Sequence, residues 1–142
     1  MFFDKKDKKE EYVIIIGCGR LGSKIANELS AQGKNVQVID LHSTSFNRLD
    51  SNFGGLNTVG DGMDLDVLKE AQIQNASAVL IFTNDDNVNH IIAQMAKVVF
   101  GVENVVLRLN DPEKSCVLDT SSMHVLCPAL LSAKEIEQVL RG

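Results

Sequence analysis

A glycine-rich hexapeptide stands near the start of the chain, between a short apolar run and a stretch with helical periodicity. It consists of Gly17, Cys18, Gly19, Arg20, Leu21 and Gly22. Between a strand and a helix, the first glycine of such a loop allows a tight turn. The second lets the backbone approach a phosphate, and the third lets the helix pack on the strand. Because the free N–H groups at the helix start attract anions, we predict that this loop binds a nucleotide phosphate.

An acidic residue follows at the distance expected of a ribose ligand. Asp40 ends the next apolar run, and we include Leu41 and His42, which come directly after it, in the predicted site. A carboxylate at this position accepts hydrogen bonds from ribose hydroxyl groups and repels a 2′-phosphate, so NADP is disfavoured. The alternative is a plain glycine turn with a strand-end Asp that caps the next helix.

Two further polar segments follow later apolar runs. Asp61, beside Gly62, either accepts the amino group of adenine or makes an ordinary turn. Thr83, Asn84 and Asp85 open a denser polar cluster at the start of a predicted helix. Such a cluster could hold a cation or a sugar, although complementing the helix dipole is the commoner role.

The sequence contains no recognisable catalytic or metal-binding constellation. Its three histidines lie in different units without metal-ligand spacing. Its three cysteines are odd in number and widely spaced, which argues against a disulfide scaffold or a zinc knuckle. For Cys18, inside the glycine loop, packing is the favoured role, although the helix start could lower the pKa of its thiol. We therefore predict a binding protein that is not an enzyme and holds no metal.

Composition restricts the class of protein further. The chain has 142 residues, 44% of them hydrophobic, which fits one globular domain. The formal net charge of −5 argues against DNA or RNA as a partner. No apolar run approaches the roughly 20 residues that span a bilayer, and residues 1–11 lack the apolar core of a signal peptide. We expect a cytoplasmic protein in a reducing compartment.

The elements that must position these residues alternate between strand-length apolar runs and helical patterns, as in βαβ units around a parallel sheet. The predicted strands are Tyr12–Ile16, Asn35–Ile39, Asn57–Val59, Ala78–Phe82, Val105–Leu107 and His124–Leu126. We predict a polar leader over residues 1–11 and a single α/β domain over residues 12–142. This domain would be a Rossmann-like, doubly wound parallel sheet of about six strands.

Helix signals lie between the strands. The clearest stripe is expected in the core and contains Val88, Ile91, Ile92, Met95, Ala96 and Val99. The helix after the glycine loop should end near Gly33. A shorter helix is marked by Leu65 and Leu68. Asp111 followed by Pro112 predicts a further helix start.

The last helix is predicted over residues 131–141, with a capping box of Ser132 and Glu135 and a hydrophobic staple of Leu131 against Ile136. Its apolar stripe of Ile136, Val139 and Leu140 either folds back on the sheet or meets another chain. We expect a crossover or dimerisation helix, and a homodimer or a higher ring.

Four linked motifs resemble a known family over nearly the whole chain from Tyr12. They are the glycine loop, the strand end at Asp40, the Gly60-Asp61 pair followed by Leu68 and Ala71, and the polar segment 83–89. Together they resemble the N-terminal nucleotide-binding domain of the regulators of potassium conductance (RCK), found in the Trk and Ktr potassium-uptake systems.

The resemblance implies a cytoplasmic gating subunit at the inner face of the membrane that binds NAD(H), ATP, ADP or AMP and signals to a membrane potassium transporter or channel subunit. By analogy, Arg20 would reach the phosphates, Asp40 the ribose and Asp61 the adenine. Residues 83–85 would border the far end of the ligand. The smaller C-terminal ligand domain of the family is absent from the sequence, which is therefore expected to be either a short member or a fragment, and a separate chain could carry that domain. The alternatives are an NAD-dependent oxidoreductase domain and a stand-alone nucleotide sensor.

Overall fold

A six-stranded sheet forms the centre of the computed structural model, which describes residues 11–117 and 123–142. The strands are β1 (Tyr12–Ile16), β2 (Asn35–Asp40), β3 (Leu56–Val59), β4 (Ala78–Ile81), β5 (Asn104–Arg108) and β6 (His124–Leu126). All five neighbouring pairs are parallel, and the spatial order is β3-β2-β1-β4-β5-β6. The predicted Rossmann-like sheet is confirmed, and every predicted strand boundary lies within one residue of the observed one. Of the predicted leader, only Glu11 belongs to the described residues.

Both faces of the central strand β1 are covered, which is why it is apolar at successive positions. Successive side chains of β1 point to opposite faces. Ile14 and Ile16 pack in the cluster that contains Ile92, whereas Ile15 packs in the cluster that contains Ala26. Burying an isoleucine contributes about 1.5–3 kcal/mol to stability, so this central strand anchors both layers.

Five α-helices connect or follow the strands. They are α1 (Arg20–Ala31), α2 (Leu65–Glu70), α3 (Asp86–Gln94), α4 (Pro112–Val117) and α5 (Pro128–Arg141), and 3₁₀ helices cover Ser43–Arg48 and Ile73–Asn75. Gly33 adopts a φ of 80° just beyond α1, as the predicted stop requires. The helix start at Pro112 is also confirmed, because Asp111 accepts a hydrogen bond from the backbone N–H of Glu113. No helix in the described residues is long and apolar enough to cross a membrane.

The helix with the clearest predicted apolar stripe buries only part of that stripe. Ile91 and Val99 are 49% and 58% exposed, so their predicted burial is wrong. Beyond α3 the chain continues as a π-helical turn over Met95–Val99, in which the N–H of Phe100 bonds to the carbonyl of Met95. This wider turn changes the register of the following side chains, so Val99 leaves the buried face.

The last helix begins earlier than predicted. Helix α5 starts at Pro128 after Cys127, so Ser132 lies inside it, and the predicted capping box and staple are wrong. Proline at the first helical position fixes φ and needs no N–H partner there, which sets the start. Every residue of α5 is exposed, with Leu140 at 81%. The helix therefore does not fold back on the sheet.

We predict that Gly22→Ala destabilises the protein by about 3 kcal/mol or more, or prevents folding. A Cβ atom at Gly22 would lie 1.9 Å from the carbonyl oxygen of Gly17, so strand and helix would have to separate. The matched control is Gly19→Ala, because a Cβ there meets nothing within 4 Å. Its cost should stay within about 1 kcal/mol. Urea unfolding of the two variants is the measurement, and equal stabilities would contradict the prediction.

Candidate nucleotide-binding site

A pocket of about 420 Å³ lies where the carboxyl ends of β1, β2 and β4 meet. The strand order reverses between β1 and β4, and open α/β sheets bind their ligands at such a point. Ten of the predicted site residues line this pocket: Gly17, Gly19, Asp40, Leu41, His42, Asp61, Gly62, Thr83, Asn84 and Asp85. The other four, Cys18, Arg20, Leu21 and Gly22, belong to the same glycine loop but are not among the lining residues.

The glycine loop brings three backbone segments together. Gly17 has a φ of 104°, and a Cβ there would lie 2.6 Å from the carbonyl oxygen of Phe82. Its N–H donates to the carbonyl of Ile39 at 2.8 Å. Gly17 therefore joins the ends of β1, β2 and β4, and Gly22 lets α1 approach this turn. Gly19 has open space beside it and faces the pocket, as the phosphate prediction requires.

The N-terminus of α1 is free to take an anion. Gly19 is the N-cap residue, no side chain caps the helix, and no acidic residue occupies its first turn. The first N–H groups of a helix have no partner within it, and the helix dipole favours a negative charge there. This end of the pocket therefore suits a phosphate.

Asp40 joins β2 to the glycine loop. One carboxylate oxygen accepts the N–H of Cys18 at 2.7 Å, and the other accepts the N–H of His42 at 2.9 Å. Each carboxylate oxygen has further lone pairs, so Asp40 can still accept hydrogen bonds from ribose hydroxyl groups. The two bonds hold the carboxylate in a fixed orientation at the pocket wall.

Cys18 is a packing residue. It is fully buried, and burial raises the pKa of its thiol from the ordinary value of 9.0 to about 11. The negative charge of Asp40 adds to the rise, and the positive charge of Arg48 partly offsets it. The expectation that the helix start could lower this pKa is wrong, because desolvation and Asp40 have the larger effect.

Asp61 has the turn role that the sequence left open. It is exposed, and its carboxylate accepts the N–H of Met63 at 2.9 Å. The adjacent Gly62 is buried, and a Cβ there would lie 2.7 Å from the side chain of Ile16. Gly62 therefore forms part of a closely packed pocket floor, while the carboxylate of Asp61 stands at the rim, where a contact with adenine remains a prediction.

The buried side-chain amide of Asn89 holds the loop after β4, a role that the sequence did not predict. Asn89 is fully buried, accepts hydrogen bonds from the backbone and hydroxyl of Thr83, and donates to the carbonyls of Thr83 and Arg108. The guanidinium of Arg108 donates to the carbonyls of Phe82 and Thr83 at 3.1 and 2.9 Å. The sequence shows Asn89 only as one more polar residue of the cluster.

The acids of this loop serve the backbone. Asp85 caps α3 by accepting the N–H groups of Asn87 and Val88. Asp86 accepts the N–H groups of residues 110 and 111 at 2.8 and 2.9 Å. Within residues 11–117 and 123–142, no cluster of histidine, cysteine or acidic residues could hold a metal ion. Asp85 and Asp86 stand at the start of α3, where acids complement the helix dipole, the commoner role given for this cluster from the sequence.

Arg48 and Ser45 line the pocket but were missed from the sequence. Both belong to the 3₁₀ helix Ser43–Arg48, which has neither a glycine motif nor a clear apolar period. The available signal was a basic residue in the segment directly after Asp40. Arg20, by contrast, is exposed at the first position of α1, and its phosphate role remains a prediction.

A second groove, of about 660 Å³, lies at the opposite edge of the sheet. Its lining includes Tyr12, Asn35 and Leu56, the first residues of β1, β2 and β3. Ligands of parallel α/β sheets bind at the carboxyl ends of the strands. The smaller pocket is therefore the candidate site, although the groove is larger.

The fold and the pocket define the chain as a Rossmann-like domain with a glycine loop at its topological switch point. Residues 13–128 match the TrkA-N domain family. The chain belongs to this family, which agrees with the resemblance noted in the sequence.

Individual relatives show the same relationship. The chain is 47% identical over 104 residues to the Trk system potassium uptake protein TrkA of Streptomyces coelicolor. The match covers 73% of this chain and 47% of the relative, so the chain spans about half the length of that protein.

Two solved structures share the fold. The TrkA-N domain of the inner membrane protein ybaL from Escherichia coli has a TM-score of 0.80 and 16% identity, with 92% of this chain and 96% of that chain covered. The structure of GsuK bound to ADP has a TM-score of 0.72 and 23% identity, with 93% and 34% covered.

We predict that the Cys18 thiol reacts slowly with iodoacetamide in the folded protein. The thiolate is the nucleophile, and a pKa of about 11 instead of 9.0 leaves about a hundredfold less thiolate at pH 8. The rate should rise about tenfold per pH unit up to that pKa. Timed alkylation followed by mass spectrometry of the Cys18 peptide measures it, with urea-unfolded protein as the control. Equal rates in folded and unfolded protein would refute the prediction.

Proposed function

We propose that this chain is the nucleotide-binding regulatory domain of a potassium uptake system, and that its ligand state is signalled to a membrane pore protein. The observation that carries the proposal is the pocket in which the glycine loop and Asp40 meet. Family membership and the similarity to a Trk system potassium uptake protein support the potassium system.

In this proposal the ligand is NAD(H) or an adenine nucleotide such as ATP, ADP or AMP. Its phosphates lie against Gly19 and the N-terminus of α1, and its ribose hydroxyl groups donate to Asp40. Adenine lies toward Leu41 and Asp61, and the far end of the ligand lies toward Thr83. The carboxylate of Asp40 disfavours the 2′-phosphate of NADP. The ADP-bound structure of GsuK, which has the same fold, supports a nucleotide as the ligand class.

The proposed role is regulatory rather than enzymatic. The three acids of the pocket are bonded to the backbone: Asp40 holds the glycine loop, Asp61 makes a turn and Asp85 caps a helix. An acid or base needs a reacting partner at hydrogen-bond distance, and a nucleophile needs a base beside it. This arrangement supports ligand binding without turnover over the alternative of an oxidoreductase.

The proposed partner is a membrane potassium transporter or channel subunit, which would hold this domain at the cytoplasmic face of the membrane. A ligand can move such an assembly only if it binds one conformation more tightly than another. Coupling in regulatory proteins typically amounts to about 1–3 kcal/mol, which a single nucleotide site can supply.

We further propose that the domain assembles as a homodimer or a higher ring. The apolar residues Ile136, Val139 and Leu140 lie on one face of α5 and are all more than half exposed. A helix face of this kind gains stability when a second copy covers it.

The assembly proposal predicts that the double variant Ile136→Asp, Leu140→Asp is a monomer. Two carboxylates on the exposed stripe would remain charged in a buried interface, at a cost of several kcal/mol. Sedimentation velocity at micromolar concentration compares it with the unaltered chain. The control is Lys134→Ala, on the same exposed helix but without loss of apolar surface. An unaltered chain that sediments as a monomer would overturn the proposal.

Nucleotide binding predicts that Asp40→Ala weakens AMP, ADP and NAD alike, by about ten- to a hundredfold. A hydrogen bond to a charged acceptor contributes about 1.5–3 kcal/mol, and all three ligands share the ribose. Thermal shift with the nucleotide panel, followed by calorimetric titration, measures the loss, because a ligand of the folded state raises its stability. The control Asp66→Asn changes an exposed acid that does not line the pocket and should leave affinity unchanged.

Two results would contradict the proposed function. If the unaltered chain binds none of the nucleotides, the pocket is not a nucleotide site. If it binds NADH and oxidises it with a metabolite at about 1 per second or faster, the oxidoreductase alternative replaces the regulatory one.

A further inference from the structure

Arg48 is fixed by its backbone at the wall of the pocket. Its carbonyl accepts a hydrogen bond from the side-chain amide of Asn27 on α1, and the oxygen of the same amide accepts the N–H of Asp50. Asn27 therefore holds the chain at Arg48 and at Asp50, on either side of Leu49, and attaches the end of the 3₁₀ helix that contains Arg48 to the helix that follows the glycine loop.

The guanidinium of Arg48 is available to a ligand. None of the ion pairs in the described part of the chain includes Arg48, and the hydrogen bond recorded for this residue uses its carbonyl. Its positive charge acts on Cys18, whose pKa it lowers against the larger opposing effects of burial and Asp40. The charge of Arg48 thus reaches the glycine loop beside the position proposed for the ribose.

The charged side chains that line the pocket indicate a specific role for Arg48. Three carboxylates, from Asp40, Asp61 and Asp85, line the pocket, and Arg48 is the one lysine or arginine among the described lining residues. A nucleotide phosphate that enters the pocket meets these acids as well as the N–H groups of α1. An arginine fork offers several donors to phosphate oxygens and keeps its charge at any physiological pH.

We propose that Arg48 is a phosphate ligand of this site and offsets its three acids, so that an anionic nucleotide is bound in preference to its uncharged nucleoside. This inference rests on the proposed nucleotide function and goes beyond it, because it assigns the discrimination by charge to one residue outside the glycine motif. The shared chemistry is a phosphate group attached to the ribose. The test compares a phosphate at the 5′ position with one at the 2′ position, which the carboxylate of Asp40 disfavours.

The test compares Arg48→Met with the unaltered chain by calorimetric titration of adenosine, 5′-AMP and 2′-AMP. Methionine keeps an unbranched apolar stem and removes the charge. We expect the affinity for adenosine to stay within about twofold and that for one phosphate monoester to fall about tenfold or more. The phosphate that suffers the loss identifies the position that Arg48 contacts. Arg48→Lys should keep part of the affinity, because the charge remains while the fork is lost.

Two further variants distinguish the effect of a positive charge at position 48 from the effect of the net charge of the protein. Lys24→Met removes an exposed charge from α1, where Lys24 pairs with Glu28, and should leave all affinities unchanged. Arg20→Met tests the other arginine near the phosphate end. The AMP affinity of the unaltered chain should also fall more steeply with salt than that of Arg48→Met, since one ligand-facing charge is gone. The salt dependence tests the contact between Arg48 and the phosphate even if adenosine binds too weakly to titrate.

The possible results distinguish failure of the role of Arg48 from failure of the proposed function. Equal losses for adenosine and both monophosphates in Arg48→Met, with an unchanged salt dependence, would show that Arg48 only shapes the pocket, and would overturn the inference. No loss for any ligand would overturn it as well, and a loss confined to Arg20→Met would assign the phosphate to Arg20. If Arg48→Met loses no affinity, or if only Arg20→Met does, AMP still binds to the unaltered chain, so the proposed function stands. An unaltered chain that binds no nucleotide overturns the proposed function and this inference together.

Discussion

The carboxylate of Asp40 is the interaction on which the site depends. By accepting the N–H groups of Cys18 and His42, it fixes the glycine loop to the end of β2 and sets the path of the chain beyond that strand. The same group is the proposed ribose acceptor. The pocket wall is therefore already oriented before a ligand arrives, which reduces the ordering that binding must achieve.

Close backbone approach completes this arrangement. Gly17 and Gly22 leave no room for a side chain between β1, β4 and α1, so the glycine loop presents main-chain groups at the proposed phosphate end of the pocket. Charged side chains enter from three other segments: Asp40 and Arg48 from the segment around β2, Asp61 from the loop after β3, and Asp85 from the loop after β4. Backbone geometry thus defines the shape of the site, and side chains from separate elements define its charge.

Sequence alone predicted the parts of the structure that arise from local pattern. The central strands were located within one residue because burial on both faces leaves apolar runs, and Gly17, Asp40 and Thr83 were found because each directly follows such a run. The predicted start of α5 was wrong. Ser132 and Glu135 have the residue types and spacing of a capping box, but Pro128 sets the start of the helix. Arg48 was missed because a 3₁₀ helix has no periodic signal. The support from Asn89 was missed because it depends on residues distant in sequence, including Arg108.

The exposure of α5 has a consequence for its own folding. A helix of 14 residues is marginally stable in water, and most helices in proteins gain their stability from tertiary packing. Cys127, just before α5, is buried, whereas every residue of the helix is exposed. In the proposed assembly, the free energy that keeps α5 helical would come largely from the surface of the second copy. Its backbone amides should exchange with solvent hydrogen faster than those of β1 as long as the helix is uncovered, so the proposed assembly and the formation of the helix would be one coupled equilibrium.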